Sequence, residues 1–237
     1  RRGTTEAHYI EGLYAMWDDL QARHPGLVID VCASGGRRID IETLRRGLPL
    51  WHSDLQCEGS HPAADQLQNA GLNRWLPFHG TLASGYEPAY AFRSGMTAGN
   101  INVGVGADGL VNNDHPETVD ATRRTTAIYG RVRPFMTGDY YPLFPHTADE
   151  DAWFGYQFHR PDLDAGMAML FRREKCAEED ETARLRDIDP KASYEVEFVD
   201  AGETRTMSGP ELASLKVRIP EKPGSALIFY KKAVGKD

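Results

Sequence analysis

Leu27-Val28-Ile29-Asp30-Val31-Cys32 runs directly into Ala33-Ser34-Gly35-Gly36-Arg37-Arg38, and Leu48-Pro49-Leu50-Trp51 runs into His52-Ser53-Asp54. Each begins as a short, almost unbroken apolar run, the pattern of a strand covered on both faces, and each ends in small or polar residues. Upstream, Tyr9, Leu13, Met16, Trp17 and Leu20 recur at spacings of three and four. That periodicity predicts a helix capped by Thr4 or Thr5, closed by Arg23-His24-Pro25-Gly26, with one face packed on a sheet. Between the two apolar runs, residues 41–46 form a helix-permissive link. Residues 63–75 read as a helix leading to Leu76-Pro77-Phe78-His79-Gly80-Thr81, and Ile101-Asn102-Val103-Gly104-Val105 precedes a helix opened by Asp114-His115-Pro116-Glu117. Strand and helix alternate four times, which implies parallel strands with helical crossovers, either an open doubly wound sheet or part of a (β/α)8 barrel. No GxGxxG or GxxxxGK[ST] follows these strands, so nucleotide binding loses support, and Gly104-Val105-Gly106-Ala107-Asp108-Gly109 reads as a plain turn.

After Pro134 the texture changes. Residues 152–159, 166–171, 194–199, 215–219 and 226–230 are strand-length segments separated by Pro, Gly and Asp, several alternating apolar with polar as half-buried antiparallel strands do. The sequence therefore divides into an α/β part, residues 1–138, and an antiparallel β-sandwich, residues 139–237. Glu178-Glu179-Asp180-Glu181 reads as an acidic surface loop.

The 237 residues are 41% hydrophobic and carry 27 Lys+Arg against 35 Asp+Glu, a formal charge of −8. That is globular composition, and only short basic clusters such as Arg45-Arg46 and Arg172-Arg173 interrupt the acidic balance, so nucleic acid is not an expected partner. No apolar stretch approaches the roughly 20 residues needed to cross a bilayer, so a soluble chain without a membrane partner is expected. The three Cys, at 32, 57 and 176, form no CxxC pair, and the eight His include no HExxH motif. No metal, cofactor or disulfide framework is therefore expected, and a reducing, cytoplasmic compartment is. His52 and His79 fall near strand ends, where they read as ordinary surface histidines or as contacts to a ligand's hydroxyls.

In a barrel, reactive groups belong at the C-terminal ends of strands. Two ends carry them here, residues 32–38 and His52-Ser53-Asp54. Each has a plain structural explanation: Asp54 as a turn cap, Gly35-Gly36 as a tight turn, Cys32 as a small apolar filler, and Arg37-Arg38 as solvated charge.

Together, however, His8-Tyr9-Ile10-Glu11-Gly12-Leu13-Tyr14, the segment from Ile29 to Asp40 with its Cys-x-Ser-Gly-Gly-Arg, and Trp51-His52-Ser53-Asp54 resemble the second half of the catalytic barrel of glycoside hydrolase family 36, the retaining α-galactosidases. The resemblance continues through Tyr90-Ala91-Phe92-Arg93-Ser94, Asp139-Tyr140-Tyr141-Pro142-Leu143 and residues 153–173. It implies the C-terminal half of a (β/α)8 barrel followed by the β-sandwich, and double displacement by two carboxylates at the barrel mouth. Asp54 matches the acid/base, a role that calls for a carboxyl whose proton affinity is raised by burial and a neighbouring carboxylate. Cys32, Ser34 and Gly35 match the segment facing the sugar, and Trp51 either joins them or packs beneath the site. The implied substrate is a terminal α-galactoside, with no cofactor.

Two departures follow. Asp54 is succeeded by Leu55-Gln56-Cys57 where many members carry further polar residues. The family's nucleophile belongs to a strand before the first helix, so it is expected upstream of Arg1. The chain is thus expected to be inactive alone and either part of a longer enzyme or a homo-oligomer closing its sheet with a second copy. The alternatives are a non-catalytic carbohydrate-binding or assembly module, and a glycosidase for another α-glycoside such as an α-N-acetylgalactosaminide.

Overall fold

A computed structural model of the chain describes residues 2–32, 35–57, 61–81, 89–99 and 116–233. Helix α1 (Arg2–Arg23) is continuous and begins before the expected Thr cap. It docks through its second half. Asp18 accepts two hydrogen bonds from the Arg46 guanidinium, at 2.7 and 3.0 Å, and the same guanidinium lies 4.4 Å over the Tyr14 ring. Gln21 donates to the Arg46 carbonyl, and Trp17 is buried. Tyr9, Ile10 and Met16 stay exposed, so the apolar stripe is only partly packed. The reason is reach, since the short helix α2 (Ile41–Leu44) and its flanks extend along only the second half of α1. Asp40 caps α2, accepting from the Thr43 amide at 3.0 Å and the Thr43 hydroxyl at 2.8 Å.

Of the predicted parallel strands, the first two are joined by hydrogen bonds and a single bridge rather than a ladder. Leu48 N–H donates to the Ile29 carbonyl at 2.8 Å and Val31 N–H donates to the Leu48 carbonyl at 2.9 Å, bracketing a parallel bridge between Asp30 and Leu48. Gly80 N–H then donates to Pro49 at 2.8 Å, and Gly99 N–H to His79 at 2.9 Å. Four chain segments thus lie side by side in sequence order. Their approach is close: a Cβ on Gly80 would stand 2.5 Å from the Leu50 carbonyl oxygen. Between and after them come α3 (Pro62–Asn73), α4 (Ala89–Ser94) and α5 (Pro116–Val132). The expected strand at 101–105, the turn at 104–109 and the Asp114-His115 helix start lie outside the described residues.

The second half is antiparallel. Strands β1 (Asp139–Pro142), β2 (Trp153–Arg160), β3 (Ala165–Arg172), β4 (Asp180–Arg184), β5 (Ser193–Phe198) and β6 (Glu203–Ser208) are followed by helix α6 (Gly209–Ala213), β7 (Ser214–Arg218) and β8 (Gly224–Lys232). Six strands form one sheet in the order β1-β2-β3-β8-β5-β6, and β4 pairs with β7 apart from it. Alternation along the strands sorts the side chains into two cores. Phe154, Tyr156, Phe158, Met167, Met169, Phe171, Leu227 and Phe229 pack toward the helices, with Tyr90, Phe92 and Met96. Ala168, Leu170, Val196, Ile228 and Tyr230 pack the other way, against Ala183, Leu212, Leu215 and Val217. With both faces covered, β2 and β3 are buried almost throughout and depart from the half-buried reading, whereas β5 and β7 alternate as it requires.

The acidic stretch at 178–181 lies at the surface but is not all loop. Asp180 and Glu181 open β4, where they face outward while Ala183 enters the core. Strands β1 and β6 escape sequence reading because both are mostly exposed or half-buried, and β6 is largely polar. Among the described residues no helix is long and apolar enough to cross a membrane.

Candidate active site

The site begins with two glycines in left-handed backbone. Gly35 has φ +70° and Gly36 φ +86°, conformations that L side chains rarely adopt. Both lie against the second strand end. A Cβ on Gly36 would meet the His52 carbonyl oxygen at 2.6 Å, and one on Gly35 would meet Asp54 N at 3.0 Å, Cγ at 3.2 Å and Oδ2 at 3.3 Å. The absent side chains are what allow the two segments to touch.

His52 anchors the second segment from beneath, its buried ring bonding through Nδ1 to the Gly80 carbonyl. Ser53 takes the local capping role, its Oγ accepting from Leu55 N–H at 3.2 Å and from Gln68 Nε2 at 3.2 Å. Asp54 opens a 3-10 turn (Asp54–Cys57) and is exposed, and no hydrogen bond ties its carboxylate among the described residues. The turn-cap explanation therefore belongs to Ser53, and the Asp54 carboxylate is available for chemistry. Burial of that carboxylate, which the acid/base role calls for, is not provided by the described residues.

Of the other expected site residues, Gly35 meets Asp54 directly. Cys32 is exposed at the end of the Gly35-bearing segment, and Trp51 is half-buried on the Asp54-bearing one. Ser34 lies outside the described residues.

His52 and His79 are not surface histidines. Both are buried, with ring centroids 5.5 Å apart in an edge-on arrangement. His79 Nε2 bonds Asn73 Oδ1 at 2.8 Å. Donation from His52 Nδ1 and His79 Nε2 to these oxygens leaves His52 Nε2 and His79 Nδ1 as bare acceptors, and neither has a partner among the described residues. Burial lowers the His52 pKa, and burial together with the His52 ring lowers that of His79 to about 3. Both rings are neutral near pH 7. On α3, burial pushes the Asp65 carboxyl up to about 7. Sequence reading missed this polar layer; the signal available was polar residues on the inward stripe of a helix, Asp65, Gln66 and Asn69.

A solved structure of this architecture exists for a variant of the GH36 alpha-galactosidase AgaA from Geobacillus stearothermophilus in complex with raffinose. It matches 94% of this chain and 31% of that one with a TM-score of 0.70 at 18% identity, so the fold is that of part of a GH36 alpha-galactosidase. The sequence comparison is more particular. The probable alpha-galactosidase C of Aspergillus terreus is 23% identical over 97% of this chain, and the alpha-galactosidase C of Emericella nidulans 26% identical over 97%. The chain spans about 30% of the length of these curated relatives. No family model matches it. The similarity to these alpha-galactosidases thus extends over nearly the whole chain.

Proposed function

We propose that the chain is a segment of a retaining α-galactosidase, comprising the C-terminal half of a (β/α)8 barrel and an antiparallel β-sandwich, and that Asp54 is its acid/base. The observation that carries this reading is the contact between Asp54 and the Gly35 turn, which joins the two motifs that the resemblance assigns to one sugar site.

The chemistry requires two carboxylates roughly 5 to 5.5 Å apart. In the first step the nucleophilic carboxylate, expected from outside these 237 residues, attacks the anomeric carbon. The glycosidic C–O bond breaks, and Asp54 gives its proton to the departing oxygen. In the second step Asp54, now ionised, takes a proton from water, whose oxygen displaces the enzyme carboxylate and restores it. Cys32, Ser34 and Gly35 line the sugar, where a turn without side chains lets backbone amides approach hydroxyls. Trp51 borders the same subsite. The substrate class is a terminal α-galactoside, as in the raffinose complex of the Geobacillus protein.

The test compares two leaving groups with the full-length gene product. Asp54→Asn is expected to slow raffinose hydrolysis about 1000-fold, the scale of a lost general acid. p-Nitrophenyl α-galactoside, whose nitrophenolate departs without a proton, should lose much less in the first step. Near-parental raffinose hydrolysis by Asp54→Asn would remove the assignment, and galactoside binding with no turnover by the parent would favour a binding module.

A further inference from the structure

A further candidate site shares no lining residue with the Asp54 site. A cavity of about 580 Å³, within the range of small-molecule pockets, lies where the first turn of α3 meets the loops of the large sheet. Pro62, Ala63 and Ala64 line it together with Tyr90, Arg173, Glu150 and Glu174.

Three features converge on it. First, the α3 N-terminus has no side-chain cap: His61 makes no capping hydrogen bond and Pro62 has no N–H. The N–H groups of Ala63 and Ala64 have no carbonyl of their own helix to reach, and their methyl side chains leave the approach open. Secondly, Arg173 is fully buried. Its Nε donates to Gln66 on α3 at 2.9 Å, its Nη1 donates to the carbonyls of Thr147 at 2.7 Å and Asp149 at 2.9 Å, and its plane lies 4.9 Å over the Phe154 ring. Nη2 has no partner, and no carboxylate forms an ion pair with Arg173 among the described residues. Glu150 is engaged by Lys175 at 2.8 Å instead. Thirdly, His61 Nε2, on the same rim, is also without a partner among the described residues.

The Glu150 and Asp149 carboxylates favour the Arg173 charge without forming a direct ion pair with it, so an oxyanion in the adjoining cavity would supply the contact partner that Nη2 lacks. An uncapped helix N-terminus on the same cavity favours the same ligand charge. The two glutamates would repel a bare anion but accept hydroxyl groups. We infer that this cavity binds an oxyanion carried on a polyhydroxylated molecule of about monosaccharide size, the oxyanion toward Arg173 and the first turn of α3, the hydroxyls toward Glu150 and Glu174.

The oxyanion can be a phosphate or a carboxylate, and titration calorimetry on the full-length gene product separates them. Galactose 1-phosphate and galacturonate are the probes, with neutral galactose as reference. At least one charged probe should bind with a Kd of about 1 mM or tighter and weaken about tenfold or more in Ala64→Glu, which sets a carboxylate on the cavity wall. Glu174→Gln, at an exposed position, should tighten the same probe about threefold. Galactose binding, which the Asp54 site would provide, should respond to neither substitution, so failure of one site does not imply failure of the other. No binding by either charged probe, or equal affinity in Ala64→Glu and the parent, overturns the inference.

Discussion

Asp54 Cγ lies 3.2 Å from the point where a Cβ on Gly35 would stand, and the Asp54 amide nitrogen lies 3.0 Å from it. A residue at the end of one extended segment therefore has its carboxylate seated on the backbone of a turn at the end of its neighbour. The parallel bridge between Asp30 and Leu48 sets the two segments side by side, and the left-handed glycines bring the turn back over the second.

Substituting the two glycines should separate stability from function. In Gly36→Ala the new methyl meets the His52 carbonyl oxygen at 2.6 Å, an immovable backbone atom, and a φ of +86° adds strain. A loss of about 3 kcal/mol is expected. In Gly35→Ala part of the clash is with the Asp54 side chain, which can swing away, so stability should fall by about 1 kcal/mol. Activity should fall more, because the carboxylate is displaced. Urea unfolding midpoints and kcat on raffinose check both; equal effects of the two variants on stability would refute the packing described.

How much of this was legible follows from what the residues had to encode. The site motifs were visible because Gly35-Gly36 and Ser53-Asp54 break otherwise apolar runs. The core strands β2, β3 and β8 were visible because long apolar segments ended at Pro, Gly or Asp. The edge strands β1 and β6 were not, since a strand with little buried surface carries no alternation. The burial of His52, His79 and Arg173 was equally hidden: a polar residue in a sequence does not reveal that an Asn73 side chain or a set of carbonyls will pair with part of it in the fold. Asp54 was identified by resemblance, and its contact with Gly35 is a tertiary relationship that no local pattern specifies.

The buried pair of opposite tendencies, His79 and Asp65, predicts an unusual acid response. His79 titrates near 3 in the fold against about 6.5 unfolded, so the unfolded chain binds more protons in that window. Its contribution is complete above about pH 6.5 and is lost as pH falls, by up to about 1.4 kcal/mol per unit. Asp65, raised to about 7 from 3.8, keeps a proton that the unfolded chain has released, and its contribution is lost as pH rises through that range. Between about pH 4 and 6.5 the two nearly cancel. Asp65→Asn should therefore make the protein more acid-sensitive than the parent, while His79→Gln should make it relatively more stable near pH 5 than near pH 7. Urea midpoints measured across this range provide the check. Parallel pH curves for parent and Asp65→Asn would show that Asp65 is not protonated in the fold.

The ion pair joining α4 to the sheet gives the most direct test of how the helices are held to it. Arg93 has a buried side chain and donates to both oxygens of Asp200, at 2.7 and 2.9 Å, and to Ser225 Oγ at 3.2 Å. Asp200 also accepts from Leu227 N–H on β8 at 3.0 Å, and its side chain is 45% exposed. The partners are therefore unequal. Removing Asp200 strands a buried cation, whereas removing Arg93 releases a carboxylate that water can reach. Asp200→Ala should cost about 2 kcal/mol, and Arg93→Met, which keeps the apolar stem against the core, about 1 kcal/mol. Because the larger cost comes from the stranded charge, adding Asp200→Ala to Arg93→Met should cost clearly less than Asp200→Ala costs alone. Unfolding midpoints of the parent, both single variants and the double variant complete the cycle. Simple additivity would mean that the bidentate contact contributes nothing to holding α4 against β8.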